Sequence, residues 1–367
     1  MLLMVRELDL GGSERQLAEI AKALDRSRFE PHVGCFRPNG LRATELRAAG
    51  VPVVAFPVRS FRHPSVLGAA RQLSRYVRQH RIRLVHTFDV PATLFGVPAA
   101  RVVRGLKVLS SQRAHRDLTP GATRGLLRLT DRMADAIVVN CDALRRQLIE
   151  EDKVPPDRIR LCYNGVDIAE FFPGTGQKVR PTPLEQAALV IGVVCALRPE
   201  KNLDTLLEAF ATVRHLRPGL TLAIVGSGPC LPGLQARARE LGISAQCVFE
   251  PATNQVAQWL RAFDIFVLPS RSEALSNSLM EAMASGCAVV ASEVGGNPEL
   301  VQERQTGLLF PSGDAGRLGE ALRLLIEDAP LRQQLGAAAA RSMIDHFSLA
   351  KSAERMGEIY DEILSIK

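Results

Sequence analysis

The sequence predicts an α/β protein of two domains, each built on a parallel β-sheet. Three observations carry this. The 367 residues exceed what one ordinary core organises and suit two domains of about 150–200 residues. Short apolar runs alternate with helix-spaced patterns, the signature of parallel strands joined by crossover helices. A Pro/Gly-rich break from Gly165 to Leu184, with Pro173, Gly174, Gly176, Pro181 and Pro183, interrupts that alternation, which then restarts.

Taken in order, Leu2–Val5 reads as a strand, followed by Gly11-Gly12-Ser13-Glu14 and a helix with Leu17, Ile20, Ala21 and Leu24 on one face. His32–Phe36, Val51–Val54, Leu84–Phe88, Val108–Ser111 and Ala136–Val139 read as further strands, with helices near 41–49 and 65–80. After the break come strands at Leu189–Ala196, Thr221–Val225, Cys247–Phe249, Ile265–Leu268 and Ala288–Ala291. Helices are expected over Asn202–Arg214, 231–241, 254–262 and Asn277–Ala284, and closing helices over 339–364. The boundaries are a first domain over 1–165, a linker over 166–187, a second domain over 188–345 and a closing segment over 346–367.

Composition is that of a water-soluble globular protein, with 46% apolar and 23% charged residues. The seven cysteines (Cys35, Cys141, Cys162, Cys195, Cys230, Cys247 and Cys287) are scattered without a Cys-x-x-Cys pair. Buried free thiols in a reducing compartment are expected, and no metal site. No stretch reads as a signal peptide or membrane span, so a cytoplasmic protein is expected. Charge is uneven: residues 1–170 hold 28 Lys and Arg against 18 Asp and Glu. Either this is a solvated face, or the first domain meets an anionic acceptor or the inner face of an anionic membrane. Aromatic residues make up only 5%, which disfavours nucleic acid as a partner.

Two glutamates carry the chemistry. Glu273 falls on a strand-to-helix loop, and Glu281 lies about one turn inside the helix that Ser276 is suited to cap. Between them a helix N-terminus offers backbone N–H groups and a positive dipole end to a phosphate. One carboxylate can then hold a hydroxyl-rich group on one side of that phosphate and the other a second such group on the opposite side, the layout of a nucleotide-sugar. A pair of glutamates complementing the helix dipole is the plainer alternative.

The wording around them resembles the donor-binding signature of the retaining glycosyltransferases of family 4. The matching residues are Pro269-Ser270, Glu273, Glu281-Ala282, the apolar run Ala288–Ala291 and Val294-Gly-Gly-Asn-Pro-Glu299, with Ala274 where the family has glycine. The resemblance covers nearly the whole chain. It implies two Rossmann-like domains (GT-B) facing an interdomain cleft, with the last helix crossing back onto the first domain. It also implies that Glu281 binds ribose hydroxyls and Glu273 a donor-sugar hydroxyl, while Leu275, Ser276 and Asn277 hold phosphate and sugar.

Further pieces fit this resemblance. Gly11 and Gly12 look like the family's glycine loop facing the donor. Lys201, in Ala196-Leu-Arg-Pro-Glu-Lys201, is placed to offset charge on a departing diphosphate. Cys195 and Ala196 stand where the family has Gly-Arg; Arg198 is expected to substitute, because Pro199 biases it toward an extended conformation. Gly226, in Ile224-Val-Gly-Ser-Gly-Pro229, matches a family turn after a strand. Pro251 replaces a glycine in the stretch that cradles the base, so the nucleobase stays open. His86, Asp89, Arg113 and His115 are acceptor-side candidates because they sit at or beyond strand ends.

The expected function is retaining transfer of a hexosyl or N-acetylhexosaminyl group from a UDP- or GDP-sugar to an acceptor hydroxyl, in exopolysaccharide or glycolipid biosynthesis. The expected partners are the donor and a sugar or lipid-linked glycan acceptor, with no cofactor and no metal. Two alternatives stay open: a nucleotide-sugar epimerase on the same fold, and a non-catalytic nucleotide-sugar-binding subunit.

Overall fold

Every strand pairs in parallel with its neighbours, in two separate sheets. The computed structural model describes residues 1–9, 11–116, 119–174 and 179–366. The chain divides into one unit formed by Met1–Gly165 with the final helix, and a second formed by Val166–Ser348.

The first unit opens with β1 (Leu2–Glu7), α1 (Gly12–Ala23), β2 (His32–Arg37), α2 (Leu41–Ala48) and β3 (Val53–Ala55). It continues with α3 (Ser65–Gln79), β4 (Leu84–Thr87), α4 (Val90–Arg101) and β5 (Lys107–Gln112). Then come α5 (Gly121–Met133), β6 (Ala136–Val139), α6 (Asp142–Glu150) and β7 (Ile159–Leu161). The second unit holds β8 (Leu189–Val194), α7 (Leu203–Val213), β9 (Leu220–Val225), α8 (Leu231–Glu240) and β10 (Cys247–Glu250). These lead to α9 (Val256–Ala262), β11 (Ile265–Leu268), α10 (Asn277–Ala284), β12 (Ala288–Ser292) and α11 (Asn297–Leu300). The chain ends with β13 (Leu308–Phe310), α12 (Ala315–Glu327), α13 (Ala329–His346) and α14 (Leu349–Ser365), the last belonging to the first unit.

The sheet orders are β3-β2-β1-β4-β5-β6-β7 and β10-β9-β8-β11-β12-β13. Each reverses direction beside its first strand, and in such sheets ligands bind beyond the carboxyl ends near that switch point. The parallel sheets are those expected from the alternation, and their orders give the two Rossmann-like folds that the family resemblance implied. In β1 the side chains divide by twos: Leu3 and Val5 join a core with α1 and α14, whereas Leu2 and Met4 pack with α3 and α4. Both faces are therefore buried, as a parallel sheet demands. From α14, Met356, Ile359, Tyr360 and Ile363 enter the first of these cores. That burial is why the last helix belongs to the first unit.

Several elements were not legible as periodic patterns. Helix α4 carries Pro91 in its first turn and Pro98 in its interior; the first position tolerates proline, whereas an interior proline removes an N–H and looks like a helix break. Helix α13 begins at Ala329, ten residues before the closing helices expected from the sequence, with Pro330 in its first turn and Asp328 accepting from the Leu331 N–H. Strands β7 and β13, of three residues each, are too short to announce themselves. Among the described residues, no helix is long and apolar enough to cross a membrane.

Asp89 joins the sheet to α4. One carboxylate oxygen accepts the Ala92 N–H at 2.8 Å as a helix cap, and the other accepts the Arg6 N–H at 2.8 Å from the end of β1. Asp89→Ala should therefore lower unfolding free energy by about 1–2 kcal/mol, the usual cost of losing such a cap. Urea denaturation of the purified variant checks this; unchanged stability would mean the cap contributes nothing.

Candidate active site

The second unit assembles its site from loops beyond the carboxyl ends of β8, β9, β11 and β12. After β8 the chain runs through Cys195–Arg198 into a single 3-10 turn, Pro199–Lys201. Pro199 holds Arg198 extended, at φ −120° and ψ 159°, as the sequence led one to expect. Asn202 then adopts a left-handed conformation (φ 52°) and enters α7. Its side chain donates to Thr205 Oγ1 at 2.8 Å and to the Pro269 carbonyl at 3.3 Å, tying this loop to the end of β11.

The same loop is pressed from the other side by the turn after β9. Gly226 has φ +149°, and a Cβ there would lie 1.9 Å from the Cys195 carbonyl oxygen. Only glycine fits that approach. The Leu197 N–H donates to the Ser227 carbonyl at 3.0 Å, and the Cys230 N–H to the Leu197 carbonyl at 3.0 Å. Gly226 thus positions the loop that carries Lys201.

Lys201 and Glu273, far apart in sequence, meet here. Lys201 Nζ lies 2.5 Å from Glu273 Oε1, with side-chain exposures of 19% and 9%. Ser270 Oγ donates to the same carboxylate oxygen at 2.7 Å. Burial alone would pull the Lys201 ammonium toward neutrality, but the adjacent Glu273 carboxylate outweighs it, and the pKa ends above its ordinary value. Lys201 is a full cation at neutral pH.

The loop bearing Glu273 is held at several points. The Ser270 carbonyl accepts from Ser292 Oγ at 2.7 Å and Ser312 Oγ at 3.0 Å. The Arg271 N–H donates to the Glu200 carbonyl at 2.8 Å, and the Ala274 carbonyl accepts from the Gly296 N–H at 2.7 Å. Leu275 is buried, and Ser276 caps α10 by accepting the Leu279 N–H at 3.3 Å. Asn277 opens the helix and Glu281, only 5% exposed, lies in its second turn. Cation, carboxylates and helix N-terminus thus share one end of the sheet. Arg198 is exposed on the loop before Lys201 and makes no ion pair among the described residues.

In the first unit, Gly11 precedes α1 with ordinary extended backbone, and the Glu14 carboxylate folds against it, so that a Cβ on Gly11 would meet Glu14 Oε2 at 1.9 Å. Gly12 is the first residue of the helix. Burial holds the Glu14 carboxyl above its usual range, with Asp89 and Glu7 pushing the same way.

The acceptor-side candidates separate. His86 is wholly buried inside β4, with Nδ1 2.9 Å from Tyr360 Oη and Nε2 2.8 Å from Ser111 Oγ. Burial drives its pKa well below the ordinary value, so it is a neutral core residue rather than a ligand-facing one. Asp89 spends both carboxylate oxygens on backbone N–H groups, and its place is that of a cap. The expectation for His86 is corrected: a ring wholly inside the sheet presents no face to a ligand. Arg113 and His115 lie in the loop after β5, both partly exposed; His115 Nδ1 is 3.2 Å from Gln147 Oε1, and Arg113 Nη1 donates to Asn164 Oδ1 at 2.7 Å. Sequence reading gave no role to Ser270 or Asn202. The Ser-x-x-Glu spacing of Ser270 and Glu273 was the available signal for the first; nothing local marks the second.

Two family models match the chain, Glycosyltransferase Family 4 over residues 10–170 and Glycosyl transferases group 1 over residues 177–342. A D-inositol 3-phosphate glycosyltransferase of Streptomyces scabiei is 30% identical over 290 residues, 75% of this chain and 65% of that protein. The Thermomonospora curvata protein of the same name is 35% identical over 226 residues, 57% of this chain and 52% of the relative. The matches thus span between half and two thirds of those relatives' own length. Among solved structures, Anabaena HepE in complex with UDP and glucose superposes with a TM-score of 0.84 at 22% identity, covering 98% of both chains. Sucrose-phosphate synthase from Thermosynechococcus elongatus gives 0.83 at 19%, covering 100% of this chain and 99% of the other. These structural likenesses establish a shared GT-B fold, and the two family models, which together account for nearly the whole sequence, identify the chain as a member of the family 4, group 1 glycosyltransferases.

Proposed function

We propose that this protein transfers a sugar, with retention of anomeric configuration, from a UDP- or GDP-sugar to an acceptor hydroxyl. The observation that carries this is the Lys201–Glu273 pair on the loops that lead into α7 and α10, the second turn of α10 holding Glu281. A nucleoside diphosphate-sugar supplies a replacement for each half of that pair. Its diphosphate offers negative charge to Lys201 and to the helix N-terminus, and a sugar hydroxyl offers a donor to Glu273. Glu281 is then placed to accept from ribose hydroxyls. The HepE complexes with UDP and with UDP-glucose support a donor of this class.

In the transfer, the bond from the anomeric carbon to the diphosphate oxygen breaks and a bond to the acceptor oxygen forms. The acceptor proton leaves to the diphosphate oxygen. Negative charge grows on the departing diphosphate, so a fixed cation there lowers the barrier more than it strengthens ground-state binding. Lys201 has that place, and Arg198, extended on the preceding loop, completes it where the family arginine is missing.

The acceptor is a sugar or lipid-linked glycan, as in exopolysaccharide or glycolipid assembly, reached at the inner face of an anionic membrane. Helix α5 exposes Leu126 and Leu129 beside Arg128 and Arg132, and α3 exposes Leu67 with Arg71, Arg75 and Arg78. Apolar side chains among arginines suit an anionic lipid surface. Co-sedimentation should be stronger with anionic than with neutral vesicles; equal binding to both removes this part of the proposal.

Two variants test the donor site. Glu281→Ala should weaken nucleotide binding by about 1–3 kcal/mol, through ribose contacts left unmade; calorimetric titration showing unchanged affinity would sink its role. Lys201→Ala should cut turnover by about a hundredfold or more while donor affinity falls less. If only affinity falls, Lys201 is a binding residue and not a stabiliser of the leaving group.

A further inference from the structure

Arg113 is a cation for which the described residues supply no counter-charge. It is the first residue beyond β5, and its guanidinium is packed over the Phe88 ring with 4.8 Å to the centroid. Nη1 donates to Asn164 Oδ1 at 2.7 Å, while Nε is buried without any acceptor. Among the described residues, no carboxylate forms an ion pair with it. The ionisable groups that bear on it are the Cys162 thiol and the Tyr360 hydroxyl, both pushed upward by burial and so neutral at pH 7. Burial draws the guanidinium itself down to about 10, still a cation at neutral pH.

The contrast with Arg116, three residues on, is instructive. Arg116 is 2% exposed and meets two carboxylates, Asp131 at 2.7 Å and Asp152 at 3.1 Å. A desolvated charge with no partner is costly, and folded proteins normally pair it as Arg116 is paired. The residues around Arg113 are neutral instead: Phe88 follows β4, Asn140 follows β6 and Asn164 lies just beyond β7. All stand beyond the carboxyl ends of adjacent parallel strands, where such sheets receive ligands. Arg113 is also partly exposed.

We infer that Arg113 is the receptor for an anionic group, a phosphate or a carboxylate, on the molecule that binds to the first unit. Nε and Nη2 share one edge of the guanidinium, the edge that takes an oxyanion through two parallel N–H···O bonds. With Nη1 held by Asn164, that edge has no hydrogen-bond partner among the described residues. Given the glycosyl-transfer reading, on which this step rests, the molecule is the acceptor, and the acceptor class is an anionic one. The anion site itself does not depend on that reading.

The test uses no donor and no turnover. Melting temperatures of the full chain, Arg113→Gln, Arg113→Lys and Lys201→Ala are followed against inorganic phosphate and, separately, glucuronate, at constant ionic strength held with sodium chloride. Phosphate should raise the melting temperature of the wild type and of Lys201→Ala. In Arg113→Gln the apparent affinity should fall about tenfold or more, the loss expected for a charge-assisted bond, with Arg113→Lys between. The glucuronate arm separates a carboxylate site from a phosphate site. A phosphate response that survives in Arg113→Gln and vanishes in Lys201→Ala would overturn the inference, as would no response to either anion. Should Arg113→Gln fail to fold, the arginine Nε–H resonances of ¹⁵N-labelled wild type under phosphate decide: the Arg113 signal should move in a saturable way, and a static one refutes the site. A failure here alongside nucleotide binding in the second unit leaves the donor site standing.

Discussion

The contact between Lys201 and Glu273 is the constraint around which the second unit's site is built. The burial of the Lys201 ammonium disfavours its charge, and the Glu273 carboxylate 2.5 Å away more than offsets that cost. Neither residue is on a long regular element. Lys201 closes a single 3-10 turn, and Glu273 rides a loop between strand and helix. Their separation is therefore set by what fixes those two loops. Asn202 reaching the Pro269 carbonyl, Arg271 donating to the Glu200 carbonyl, and the Ser292 and Ser312 hydroxyls on the Ser270 carbonyl do this. Gly226 lets the neighbouring turn press on the Lys201 loop from the far side. Loose loops would let a flexible lysine swing away; these anchors hold the two charges in register with the α10 N-terminus.

Much of this was legible in the sequence, because the signals were local. Ser276 as a cap, α10 over Asn277–Ala284, and the two glutamates on loop and helix all follow from short-range chemistry. So do most strands, whose apolar runs are continuous because both faces of a parallel sheet are buried. What failed were features decided by distant partners. His86 looked like a ligand-facing histidine because it lies near a strand end. Its partner Tyr360 enters from α14, 274 residues away, and makes it a buried, neutral hydrogen-bonding residue. Asp89 is polar at the end of β4 whether it faces a ligand or caps α4, and the sequence does not separate the two. Helix α4 was hidden by its prolines, which tertiary packing overrides.

The charge asymmetry also resolves into different kinds of arginine. Arg116 is neutralised inside the first unit by Asp131 and Asp152, whereas Arg71, Arg75 and Arg78 sit on the solvent face of α3. Counting charges cannot tell these apart. Arg113 belongs to neither group: it packs over Phe88 and donates to Asn164, just beyond the carboxyl end of β5. An arginine-rich domain can thus serve structure, surface and site at once, through the same side chain in three dielectric settings.

The central claim is that the end of the second sheet bearing Lys201 and Glu281 is a seat for a nucleoside diphosphate. The most direct measurement is the melting temperature of the purified protein against UDP, GDP, ADP and their sugar conjugates, since a ligand of the native state alone raises it. A saturable rise with one nucleotide family is expected, which also fixes the base. No rise with any of them, from well-folded protein, would contradict it.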